Sequence, residues 1–170
     1  MKYIQRSPFP FILKVALIGL FFVTYSQGVL ADKVDDFIQS IQVSSYNCPD
    51  DKYIPQVDEY IKRQSVLPEQ LIKIKVHKAQ WLICVGKNDQ AQIMLENLLV
   101  DPLMDRNSQS YASVHYQLGY IFDVQEKPEK CDYYRQSEQL AIGKFNDIHL
   151  SSQLGLITVC DQDKQDIGVK

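Results

Sequence analysis

The sequence predicts an all-α protein of about seven helices. Apolar residues recur at helical spacing along the whole chain after residue 31. No stretch alternates apolar and polar residues for long, and no Asn-Gly or Asp-Gly pair offers a hairpin turn. The linkers are short apart from residues 101–108, which sets neighbouring helices antiparallel.

Val34, Phe37, Ile38 and Ile41 fall at i, i+3, i+4 and i+7 and predict a first helix with one apolar stripe. Asp50 and Asp51 precede a second, with Pro55 in its first turn and Val57, Tyr60 and Ile61 on its buried face. Pro68-Glu69 opens a third, which carries Ile72, Val76, Ala79 and Ile83 and stops at Gly86. A fourth starts from caps at Asn88 or Asp89, buries Ala91, Leu95 and Leu98, and ends before Pro102. Ser108 or Ser110 caps a fifth, with Tyr111, Val114, Leu118 and Ile121 on its stripe. Pro128 enters a sixth, whose stripe is Cys131, Tyr134 and Leu140. The seventh runs from about Asp147 with Leu150, Leu154 and Ile157 as its stripe.

Residues 1–31 read as a secretory signal peptide. Lys2 and Arg6 form a basic n-region, Val15 to Val23 is an uncharged apolar run, and Val29-Leu30-Ala31 predicts cleavage after Ala31. The alternative is a membrane anchor through residues 9–30. Against it, Thr24, Tyr25, Ser26 and Gln27 interrupt the apolar part, leaving less than the roughly 20 apolar residues a spanning helix needs. The expected address is periplasmic or secreted, with one helical domain at 32–161 and a flexible tail at 162–170. The rest of the chain holds 15 basic against 21 acidic residues. That balance argues against nucleic-acid partners, because nothing replaces the counterions of a phosphate backbone.

Aligning the third and fourth helices with the fifth and sixth puts Ala79 on Gly119 and Ala91 on Cys131, both 40 residues apart. Leu154-Gly155 repeats Leu118-Gly119 in the seventh helix. Ala79, Leu82, Gly86, Ala91, Leu95 and Leu98 form one unit, and Leu118, Gly119, Phe122 and the Cys131–Tyr134 segment form the next. With Leu154 and Gly155 opening a last unit, this pattern resembles the tetratricopeptide repeat over residues 69–161. Two departures stand out: the spacing exceeds the roughly 34 residues of that family, and its Trp-Leu-Gly element is incomplete. The resemblance implies a right-handed stack of antiparallel helix pairs, an α-solenoid, with the first helices of each pair on a concave wall.

Four cysteines, Cys48, Cys84, Cys131 and Cys160, follow the signal segment. Their number suits an oxidising compartment, and no CxxC supports zinc or thioredoxin-type chemistry. In stacked pairs of the kind the resemblance implies, Cys84 and Cys160 end first helices, while Cys48 and Cys131 begin second helices of the preceding unit. The implied bridges are Cys48–Cys84 and Cys131–Cys160; four buried free thiols are the alternative.

No nucleophile–base pair, HExxH, GxSxG, GxGxxG or P-loop occurs. His77, His115 and His149 are scattered, without the i, i+4 spacing of a helical metal site. The expectation is no enzyme, no catalytic residue, no metal and no cofactor. A histidine, His115 or His149, beside a free Cys131 or Cys160 would reopen the enzyme reading. If the family geometry carries over, a peptide or protein partner lies in a groove lined by Lys73, Val76, Gln80 and Ile83. Tyr116, Tyr120 and Asp123 continue that wall, and His149, Ser152 and Leu156 finish it. Tyrosines suit such a surface because they combine apolar area with a polar tip. The alternative for Tyr116 and Tyr120 is packing between units.

The seventh helix has no partner helix in the sequence, so its apolar face needs a cover. Either the chain is a piece of a longer repeat protein, or another chain, including a second copy, packs there. A signal segment followed by degenerate helical repeats is similar in layout to the periplasmic sensory part of bacterial membrane-bound diguanylate cyclases and sensor kinases. The alternatives are an envelope or secretion-complex scaffold, and an all-α bundle with an unrecognised small-molecule or enzymatic site.

Overall fold

A computed structural model describes residues 33–41, 48, 50–63 and 66–160. The predicted signal segment and tail lie outside the described residues. Seven α-helices and no strand occur among the described residues. They are α1 (33–41), α2 (Tyr53–Arg63), α3 (Pro68–Cys84), α4 (Asn88–Leu99), α5 (Gln109–Val124), α6 (Lys130–Ala141) and α7 (Asn146–Gly155). α7 runs into one π-helical turn, Leu156–Cys160. None of the described helices is long and apolar enough to cross a membrane.

Consecutive helices pack in hairpins, α3 on α4, α5 on α6 and α6 on α7. α5 also touches α3 on one side and α7 on the other. A continuous apolar core results. Ile74, Leu82, Leu95, Leu98, Leu118 and Ile121 are among its fully buried side chains. The stripes predicted for α1, α4 and α5 face this core, with Tyr111 and Phe37 half-buried at its edge. α3 is buried on more than its stripe, because α2, α4 and α5 all pack against it; Ile74, Trp81 and Leu82 add to its core side. At the α1–α2 end Phe37 stacks on Tyr60, ring centroids 3.9 Å apart. The Tyr60 hydroxyl donates to the Lys33 carbonyl at 3.2 Å.

The 40-residue spacing is visible in the backbone. α3 ends with Gly86 at φ +77°, and the Lys87 N–H donates to the Leu82 carbonyl. α5 ends the same way, with Glu126 at φ +55° and the Lys127 N–H on the Phe122 carbonyl. Both are left-handed closures that satisfy carbonyls at a helix end. Glycine takes that conformation without strain, whereas Glu126 carries a Cβ into it. At the start of α5, Ser108 is the cap, its hydroxyl accepting from the Tyr111 N–H at 3.2 Å.

Around Tyr134 the helices come closest. A Cβ built on Gly119 of α5 would lie 2.8 Å from its ring, and one on Gly155 of α7 would lie at the same distance. The ring is therefore held between two glycines on neighbouring helices. A buried hydroxyl chain runs beside it. Ser137 of α6 donates to the Ala112 carbonyl of α5 at 2.9 Å, and Ser152 of α7 is 2.8 Å from the Ser137 hydroxyl.

The seventh helix departs from its predicted orientation. Leu150, Leu154 and Ile157, the expected stripe, are each about 60% exposed, while Ser152 is fully buried. The glycine contact and the serine hydrogen bond turn α7 inward on its small residues. Its aliphatic stripe is left facing solvent.

Two disulfides join the pairs that the repeat register implies. Cys48–Cys84 has its Cα atoms 5.3 Å apart and ties the entry to α2 onto the end of α3. Cys131–Cys160, at 5.8 Å, ties the start of α6 to the π-helical turn. No cysteine is free, which fits an oxidising compartment.

Candidate functional site

α3, α5 and α7 line one open groove of about 910 Å³. Its residues follow from helical phase. Lys73, Val76, His77, Gln80 and Ile83 lie on one face of α3, and Ser113, Tyr116, Gln117 and Tyr120 on one face of α5. Asp147, Ile148 and Ser151 of α7 form the far wall, and the Cys48–Cys84 bridge closes one edge. The volume lies in the range of about 300–1,000 Å³ usual for ligand clefts.

The structure brings six of the predicted wall residues together here: Lys73, Val76, Gln80, Ile83, Tyr116 and Tyr120. Asp123, His149, Ser152 and Leu156 do not line the groove. Asp123 pairs with Lys130 of α6 at 3.5 Å. His149 points at α6, its Nε2 3.9 Å from Glu138. Ser152 is in the buried hydroxyl chain.

The cause is the Leu-Gly equivalence. Gly119 and Gly155 both meet Tyr134, but Gly119 packs forward onto the partner helix of its own hairpin. Gly155 packs back onto the helix of the preceding pair. Aligning them sets the phase of α7 one residue late, so Ser151 stands where Ser152 was expected.

The lining is rich in hydroxyls and amides. Gln117 is buried and donates to the Ser113 hydroxyl at 3.1 Å and the Val76 carbonyl at 3.4 Å, yet its Oε1 has no partner. The Nδ1 of His77 is likewise buried without a partner. Burial pushes the His77 imidazole below its ordinary pKa; Lys73 pushes the same way and Asp35 opposes it. His77 is thus a neutral hydrogen-bonding group at neutral pH. Burial raises the Tyr116 phenol, a hydrogen bond with Ser151 acting against it and Tyr120 adding to the rise. Tyr116 therefore keeps its proton. Tyr120, 42% exposed, presents its ring to the groove opening.

His115, the remaining histidine, lies outside the groove. It is buried between Tyr111 and Tyr133, ring centroids 4.8 and 5.7 Å away, and neither nitrogen has a partner. Burial pushes its pKa down to about 4. The thiols that could have joined a histidine in catalysis are bonded to each other, Cys131 to Cys160. No group of three or more His, Cys, Asp or Glu side chains that could hold a metal ion occurs among the described residues.

Sequence reasoning missed Gln117, Ser113 and Ser151 as lining residues. The signal was present for α5: Ser113 and Gln117 share one helical face with Tyr116 and Tyr120. No family profile, curated protein or solved structure matches this chain.

Proposed function

We propose that this protein is an exported binding module, built as a tetratricopeptide-like stack, that holds an extended peptide segment in the α3–α5–α7 groove. The observation that carries the reading is an open groove among whose lining residues Gln117 and His77 each keep one buried polar atom, Oε1 and Nδ1, without a partner. Buried polar groups ordinarily have partners, and a peptide backbone supplies an N–H every residue. Tyr116 and Tyr120 add large rings whose ordering costs little entropy, and the serines add adaptable hydrogen bonds. A sensory role, in which the occupied groove signals to another domain or chain, uses the same contacts. The reading assigns the protein no chemistry.

An array of random dodecapeptides tests this with wild-type protein and a Gln80→Ala, Tyr120→Ala double variant, both sites being exposed. Capture of a subset by the wild type, weakened at least tenfold in the variant at unchanged melting temperature, is the expected result. No captured peptide, or equal capture by the variant, overturns the reading.

A further inference from the structure

Beside the groove lies a second cavity of about 300 Å³, where α1, the N-terminal turn of α3 and the 101–108 linker meet. The two share Lys73, Ser108 and Ser110 and so lie side by side. Val34, Ile72 and Leu103 give the second cavity aliphatic walls, and Asp35, Glu69 and Asp105 ring it with carboxylates.

These charges are unequal in availability. Asp35 holds Lys73 at 2.5 Å, which spends the one cation among the described residues that line the cavity. Asp105 accepts from the Asn107 N–H at 2.9 Å and forms no ion pair with a described residue. Glu69 has no ion-pair partner among the described residues. Gln70, also lining the cavity, is 94% buried by its 6% exposure. Its Oε1 accepts from the Leu67 N–H at 3.2 Å, which leaves its Nε2 as a donor without a partner.

Aliphatic walls rimmed by carboxylates match a long side chain with an apolar stem and a cationic head. The spare amide donor beside it matches the carbonyl of the same residue. From this geometry we infer that the second cavity is a subsite for a lysine or arginine side chain of the bound peptide. Glu69 and Asp105 receive the cation, and Gln70 donates to the adjacent main-chain carbonyl. The inference rests on the groove reading, since the peptide reaches the cavity along Lys73, Ser108 and Ser110. Charge complementarity of this kind selects among peptides more than it strengthens all of them.

The test uses three pooled decapeptide libraries, all N-acetylated and C-amidated, with the outer positions randomised over uncharged residues. The central position is lysine, acetyl-lysine or glutamate. Retention on immobilised protein is read for the wild type and for a Glu69→Gln, Asp105→Asn variant, which keeps the Asp105 turn acceptor. The expected result is at least tenfold more retention of the lysine pool than of either other pool, with the preference reduced to below twofold in the variant. Equal retention of the three pools by the wild type, or an undiminished lysine preference in the variant, overturns the subsite while the groove reading stands. Retention of none of the pools overturns the groove reading itself.

Discussion

A methyl group added at Gly119 or Gly155 destabilises this protein, against the trend for helices. Alanine in place of glycine inside a helix ordinarily gains about 1 kcal/mol. Here the new Cβ would stand 2.8 Å from the Tyr134 ring at either site, whereas carbon atoms pack best at about 3.5–4.0 Å. The ring has little room to step aside, because a second glycine on another helix packs against it and Tyr134 is only 3% exposed. Overpacking of this kind costs about 1–3 kcal/mol. The net expectation for Gly119→Ala is a loss of about 1 kcal/mol, read as a fall of roughly 3–6 °C in melting temperature. Urea unfolding of Gly119→Ala, Tyr134→Leu and the double variant isolates the contact. In the Tyr134→Leu background the added methyl should turn neutral or stabilising. A coupling near zero, or a Gly119→Ala protein more stable than wild type, refutes the packing described around Tyr134.

Glu126→Gly relieves the left-handed backbone at the end of α5 and should stabilise by about 1 kcal/mol, checked by denaturant midpoint; a destabilised variant contradicts the closure. His115 has its pKa lowered by burial, so below about pH 6.5 the unfolded chain takes up a proton that the folded chain refuses until about pH 4. Stability is therefore lost as pH falls through that window, by about 2–3 kcal/mol down to pH 4.5 from this group. His115→Phe should flatten the profile between pH 6.5 and 4.5, and an unchanged slope counts against the buried neutral imidazole. The bridges close loops with sequence separations of 36 and 29 residues, for which chain entropy gives about 4 kcal/mol each. Alkylation of oxidised protein should label no thiol and of reduced protein four. Loss of either bridge through a paired Cys→Ala variant should lower the melting temperature by more than 8 °C; four labelled thiols in the oxidised sample contradict the pairing.

Much of this was legible in the residues. Helical stripes at 34–41 and 91–98 mark the core faces because α1 and α4 bury one side, whereas the stripe at 111–121 marks only part of α5, which α3, α4, α6 and α7 all cover. Gly86 marks its helix end because a left-handed closure favours glycine. The equivalent closure at Glu126 escaped notice, since nothing in its chemistry signals a positive φ. Cysteine pairing followed from the repeat register because Cys84 and Cys160 share one place in two of its units. α7 defeated the same logic. Hydrophobic periodicity assumes that apolar residues point inward, and here Ser152 and Gly155 do so while Leu150, Leu154 and Ile157 face out. Close approach to Tyr134 and the Ser137–Ser152 hydrogen bond need small side chains, and periodicity gives small polar residues no weight. The last wall of the groove fails separately, through the Leu154-Gly155 alignment, so that Asp147, Ile148 and Ser151 replace His149, Ser152 and Leu156.

Amide chemical-shift mapping with one captured peptide would probe the proposed binding surface most directly. Titration should move resonances at Val76, Gln80, Ser113, Gln117 and Ser151, on three different helices, and leave the outward residues Ile93, Arg135 and Gln139 of α4 and α6 unmoved. Shifts centred on the outer faces of α4 and α6 would contradict a ligand held between α3, α5 and α7.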